Sequence, residues 1–108
     1  MNRMFVYSKL FCNVWNKLGL TDEHLRMLEN RLLENPQEGD VIPGLSGARK
    51  IRFQIGTHGK SGGGRVIYID IVEKEIVYFL LAYPKNVQEN LTSEQKKIIK
   101  KMIDNVKE

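Results

Sequence analysis

The sequence holds a single cysteine, Cys12, so no disulfide can form within the chain. A protein that does without disulfides suits a reducing compartment. It also lacks an apolar run long enough to span a membrane. The opening Met1-Asn2-Arg3 passes into Tyr7, Ser8 and Lys9 before any sustained apolar core develops. Neither a signal peptide nor a membrane association is therefore expected, and the expected location is the cytoplasm. No grouping of His, Cys or carboxylate residues has the spacing of a metal site, so no metal and no cofactor are expected. Repeats and low-complexity stretches are absent. The last absence is local: no acidic residue lies between Asp40 and Asp70, whereas Arg49, Lys50, Arg52, Lys60 and Arg65 all fall there.

What is present reads as one globular domain over residues 1–108. Its 42% apolar and 28% charged content is that of a chain with a core rather than a disordered one. The net charge of +4 favours an anionic partner.

Met4 to Tyr7 reads as a short strand. Ser8 can cap a helix in which Leu10, Phe11, Val14, Trp15 and Leu18 recur at helical spacing before Gly19. Thr21 opens a second helix, with Leu25, Leu28, Leu32 and Leu33 as its buried stripe and Pro36 at its end. From Arg49 to Ile55 the period becomes two. Ile51, Phe53 and Ile55 take one face, and Lys50, Arg52 and Gln54 the other. A glycine-rich connection, Gly56 to Gly64, leads to two long apolar strands, Arg65 to Val72 and Ile76 to Tyr83, joined at Glu73-Lys74-Glu75. Both strands are apolar on both faces, which suggests central positions. Thr92 and Gln95 form a capping box for a last helix striped by Ile98, Ile99, Met102, Ile103 and Val106. The expected class is α+β in the order β-α-α-β-β-β-α. An antiparallel sheet with helices packed on one face is the economical arrangement.

If the strands on either side of the glycine-rich connection are neighbours, Lys50, Arg52, Lys60 and Arg65 converge on one surface. Glycines at 56, 59, 62, 63 and 64 would let a phosphate backbone approach closely. The plainer alternative is a solvated sheet face beside a surface hairpin. A P-loop is excluded: Gly59-Lys60-Ser61 matches its end, but Gln54 stands where the first glycine belongs, and a strand follows rather than a helix.

The segments Gly39-Asp-Val-Ile-Pro-Gly44, Gly47-Ala-Arg-Lys-Ile-Arg52 and Gly59-Lys-Ser-Gly-Gly-Gly-Arg-Val-Ile-Tyr68 resemble the pattern of HigB-type toxins in the RelE superfamily. The resemblance extends through Tyr78-Phe-Leu-Leu-Ala-Tyr-Pro-Lys-Asn86 and Leu91-Thr92, and upstream to Ser8-Lys-Leu-Phe11 and Leu20-Thr-Asp-Glu23. It implies a RelE-like fold and a ribosome-dependent endoribonuclease that cuts messenger RNA without metal. It also implies a cognate antitoxin, often with a helix-turn-helix domain, through which alone the toxin would reach operator DNA.

On that resemblance Arg65, Lys60, Arg52 and Lys50 are the catalytic candidates. Arg49, Lys85, His58 and Tyr68 are candidate RNA contacts. Arginine suits the charge role, because its guanidinium stays protonated and grips phosphate through two N–H groups. A lysine needs crowding by other cations to act as a base, and Lys50 and Lys60 are the candidates. Arg65 is expected to be held by the sheet yet exposed to the cleft. Two departures weaken the acid–base assignment. Asn86 stands where RelE has a catalytic arginine, and nothing after Lys85 resembles its late tyrosine.

Each of these residues has a plain reading too. His58 can be a loop residue, Tyr68 and Tyr83 sheet-core tyrosines rather than stacking or proton-donating groups, and Cys12 and Trp15 structural. Lys96, Lys97, Lys100 and Lys101 read as the wet face of the last helix. Two other functions compete: a ParE-type inhibitor of DNA gyrase, which shares the fold without needing a phosphate cleft, and a nucleic-acid-binding repressor, for which no helix-turn-helix pattern is found.

Overall fold

The structure, a computed structural model, describes residues 2–54 and 63–107. The first strand, β1 (Met4–Tyr7), leads directly into α1 (Lys9–Lys17). Ser8 caps this helix by accepting from the Phe11 N–H at 2.9 Å, and its own hydroxyl donates to the Leu80 carbonyl at 2.8 Å. One residue thus both starts the helix and fastens it to a distant strand. Helix α2 (Asp22–Glu34) begins at a second reciprocal cap. The Thr21 hydroxyl accepts from the His24 N–H, and the His24 ring accepts from the Thr21 N–H at 3.0 Å. His24 is therefore part of a helix start, a role its place among acidic residues did not suggest.

A two-residue strand, β2 (Asp40–Val41), precedes β3 (Arg49–Phe53), β4 (Gly64–Ile71) and β5 (Ile76–Pro84), and α3 (Ser93–Lys107) follows. A 3₁₀ turn at Val72–Lys74 and the left-handed Glu75 make the charged turn between β4 and β5. The capping box of α3 forms as its spacing suggests: Gln95 Oε1 accepts from the Thr92 N–H, and Thr92 Oγ1 from the Gln95 N–H.

The strands lie in the order β1-β5-β4-β3-β2. All neighbours are antiparallel except β1 and β5, which pair in parallel from Met4↔Ile76 to Tyr7↔Phe79. The expectation of a wholly antiparallel sheet is corrected here. A hairpin can link antiparallel strands, but β1 and β5 are joined through most of the chain, helices included, which permits the parallel crossover.

The expectation that the helices share one face is corrected as well. Phe11, Trp15, Leu28 and Leu32 of α1 and α2 pack with Ile51, Val66, Tyr68, Val77 and Phe79 on one side. Ile99 and Ile103 of α3 pack with Ile67, Ile69, Ile71, Leu80 and Leu81 on the other. The reason lies in β4 and β5, where successive residues are apolar and each face needs a cover. A bulge adds to this. The register passes from Ile67↔Leu81 to Tyr68↔Phe79, so Leu80 is an extra residue and joins Leu81 on the α3 side.

Candidate functional site

Ile51 belongs to the core under α1 and α2, so the alternation of β3 turns Lys50 and Arg52 to the opposite face, the one that α3 partly covers. The register then sets a row across three strands: Arg52 is opposite Arg65, and Arg65 is opposite Tyr83. Side chains directly opposite in adjacent strands stand about 5 Å apart at Cβ. Lys50 lies two residues along β3 on the same face. The structure thus brings Lys50, Arg52 and Arg65 together as the spacing suggested.

Gly63 permits this junction. Its φ is +73°, and a Cβ there would stand 2.2 Å from the Phe53 carbonyl oxygen; its own carbonyl accepts from the Lys85 N–H at 3.1 Å. The end of β3, the start of β4 and the end of β5 are drawn together around a residue with no side chain.

Beside the row lies a cavity of about 330 Å³ walled by Asp40, Val41, Ile42, Pro43, Lys50, Tyr83, Asn90, Leu91 and Lys96. Lys50 Nζ donates to Asn90 Oδ1 at 3.1 Å. Lys50 also lines a smaller adjoining cavity of about 160 Å³ together with Arg31, Glu38, Asp40 and Arg52. Arg31, on α2, donates to the Arg52 carbonyl at 2.9 Å and pairs with Glu38, which steadies the end of β3 from behind. Among the described residues no group of three or more His, Cys, Asp or Glu side chains could hold a metal ion, and no described helix is long and apolar enough to cross a membrane.

Several sequence-based expectations change at this point. Arg65 is 3% exposed rather than open to the cleft, because β4 is a central strand with neighbours on both sides. Its guanidinium donates to the Gly64 carbonyl at 3.0 Å and lies 3.8 Å from the carboxylate of Glu89, a residue 58% exposed at its side chain. The acid-free stretch of sequence is accordingly not an acid-free surface. Glu89 arrives from the segment after β5, and Asp40 from β2, opposite Lys50.

Tyr68 is 0% exposed and cannot stack on a base. Its hydroxyl donates to the Pro36 carbonyl at 2.7 Å and accepts from the Gly39 N–H at 3.0 Å. Burial pushes its pKa up, with the Gly39 bond and Arg49 opposing. Arg49 is on the face away from the cleft, opposite Tyr68, and its guanidinium holds the carbonyls of Gln37 and Gly39 at 3.2 and 2.8 Å. Lys85 is exposed just past β5 and does not line the cavity. Lys60 and His58 lie outside the described residues.

Sequence reasoning missed Asn90, Asp40 and Glu89, which reach the site from three-dimensional proximity alone. Lys96, read as wet helix face, has a place in the cavity wall. Tyr83 had been weighed as core or as chemistry, and the structure gives it both: a buried ring, and a position on the cavity. Burial pushes its pKa up, Arg65 pulls it down, and Glu89 raises it.

A five-stranded mixed sheet with helices on both faces, carrying Lys50, Arg52 and Arg65 along one face beside a cavity, defines a small α+β protein. Residues 3–108 match the family described as RelE toxin of the RelE / RelB toxin-antitoxin system, and the chain belongs to that family. The isolated E. coli RelE toxin is similar in fold, with a TM-score of 0.59 at 22% identity over 93% of this chain and 98% of that one. RelE in the intact E. coli RelBE toxin-antitoxin complex gives 0.58 at 25% identity, over 76% of this chain and 95% of that one. A free-state E. coli RelE with two arginines changed to alanine also gives 0.58, at 22% identity over 82% and 90%.

Proposed function

We propose that this protein is a ribosome-dependent endoribonuclease of the HigB branch, the toxin of a toxin–antitoxin pair acting on messenger RNA in the cytoplasm. The observation that carries the reading is the row Arg52–Arg65 with Lys50 beside it, three cations on one sheet face next to a cavity. Cations gathered on one sheet face, with Arg52 exposed and Arg65 set behind the Glu89 carboxylate, suit a polyanion, since each phosphate contact releases counterions.

In this reading a ribose 2′-hydroxyl attacks the adjacent phosphate in line, and no metal takes part. Arg52, exposed at the end of β3, meets the RNA backbone first. Arg65 is fixed by the sheet on both sides and holds charge on the phosphate without having to rearrange; preorganised donors of this kind are worth about 10²–10³ in rate each. Lys50 anchors the RNA at the cavity mouth. Lys60 is included on its place in the sequence, and Lys85 and His58 as outer contacts. The partner is a cognate antitoxin, a reading supported by family membership and by the E. coli complex.

The test compares cleavage of one message as naked RNA and on programmed ribosomes. The described site shows no pair of groups obviously placed for both proton transfers, so positioning by the ribosome is expected to accelerate cleavage strongly. Equal rates with and without ribosomes would refute ribosome dependence. Absence of cleavage in both would refute the ribonuclease reading itself.

A further inference from the structure

Three of the four tyrosines in this sheet meet different fates. The Tyr7 hydroxyl is bound to the Glu29 carboxylate. Tyr68 both donates and accepts in short bonds and is sealed in the core. Tyr83 differs: its hydroxyl has one long contact, 3.4 Å to the Glu89 carbonyl, and its side chain lines the cavity beside Lys50 and Asn90. A hydroxyl so loosely held keeps its proton available.

The occupant of this corner is informative. Glu89 touches Tyr83 through its backbone carbonyl and Arg65 through its carboxylate. One residue thus sets an anionic oxygen before the guanidinium and a neutral oxygen before the phenol. A phosphodiester offers the same pair, a charged non-bridging oxygen and an uncharged bridging one. Arg65 and Tyr83 are register partners on neighbouring strands, so a single phosphate spans both.

We propose that Tyr83 is the proton donor to the leaving oxygen, and that Glu89 stands where the scissile phosphate binds. The inference rests on the ribonuclease reading and supplies its missing acid. The 2′-oxygen bonds to phosphorus as its proton passes to water in the cleft. The bond from phosphorus to the 5′-oxygen breaks, and that oxygen takes the Tyr83 proton. The products are a 2′,3′-cyclic phosphate and a 5′-hydroxyl. The phenolate left behind lies beside Arg65 and regains a proton from solvent. Burial pushes the Tyr83 pKa up, which opposes proton release, whereas the neighbouring Arg65 pulls it down and stabilises the phenolate that proton donation leaves.

The experiment uses programmed ribosomes and two messages that differ only at the scissile linkage, one ordinary and one with the bridging 5′-oxygen replaced by sulfur. Sulfur departs without protonation. Tyr83→Phe is expected to slow the ordinary message by about 10²–10⁴, the usual range for losing an acid–base group, with KM little changed. On the sulfur-linked message it should be close to wild type. The ring is retained and only a 3.4 Å bond is lost, so the fold should survive, as a thermal melt would verify. Glu89→Gln, at an exposed side chain, should lower KM by removing the competing anion.

Equal slowing on both messages would mark Tyr83 as structural and overturn the assignment, as would wild-type rates on both. An unchanged KM in Glu89→Gln overturns the placement of the phosphate. Wild-type protein that cleaves neither message overturns the parent reading, and a cleaving wild type keeps the two questions apart.

Discussion

Tyr68→Phe removes one oxygen from the middle of the molecule, and its consequences can be worked out atom by atom. The hydroxyl donates to the Pro36 carbonyl and accepts from the Gly39 N–H, both in buried surroundings. Phenylalanine fills nearly the same space, so no cavity opens. What remains is a buried carbonyl and a buried N–H without partners. Each such group costs about 1–3 kcal/mol. Water is hard to admit at Gly39, where even a Cβ would lie 2.9 Å from the Lys50 carbonyl and 3.0 Å from the Tyr68 ring. A destabilisation of about 2–6 kcal/mol is therefore expected, a large share of the roughly 5–15 kcal/mol that holds a domain together. At about 4 °C per kcal/mol for a chain of this size, Tm should fall by about 8–24 °C. Urea unfolding followed by circular dichroism should show a lower midpoint with an unchanged slope. Cleavage by the folded variant should stay near the wild-type rate, because Tyr68 does not reach the cleft. A melt indistinguishable from wild type would refute the argument from unpaired buried groups. A stable variant with lost activity would return Tyr68 to the RNA.

Arg65→Ala should lower ribosome-bound cleavage by about 10²–10³, whereas Lys100→Ala on the outer side of α3 should change little. A folded Arg65→Ala protein that cleaves at the wild-type rate would put the active site elsewhere. The pH dependence of stability should show its main loss on the alkaline side. Tyr7, Tyr68 and Tyr83 all have pKa values raised by burial, Tyr7 also by Glu29, so above about pH 10 the unfolded chain releases protons that the folded one retains. Their contribution is complete below that pH and declines as pH rises through the folded values. A urea midpoint flat from pH 9 to 11.5 would contradict it.

The helix starts were legible because their chemistry is local. Ser8, Thr21 and the Thr92–Gln95 box act within three residues of themselves, and all three caps form. Strand identity was equally plain in β1, β4 and β5. The partner and direction of β1 were not, since an extended pattern says nothing about which edge accepts it. The alternation of β3 correctly put Lys50 and Arg52 on one face. That same alternation carries Arg49 to the other side, where its guanidinium becomes a brace for residues 37 and 39. Arg65 and Tyr68, three positions apart, differ in orientation by the pleat and are alike in burial, which neither residue type announces. Asn90 and Glu89 carry no signal at all in one dimension. They matter because the turn after β5 folds back across the row.

The parallel pairing of β1 with β5 has a consequence for how the molecule comes into being. Ser8 and the Leu80 carbonyl it binds are 72 residues apart. At synthesis rates of about 5–20 residues per second, β1 and α1 leave the ribosome some 4–14 s before their strand partner exists. Their apolar surfaces wait uncovered for that interval, and closure then depends on long-range contacts, the slow kind. Tyr83, Glu89, Asn90 and Lys96 belong to the same late-made quarter of the chain. A nascent copy therefore carries no finished cleft until this last quarter of the chain has been made.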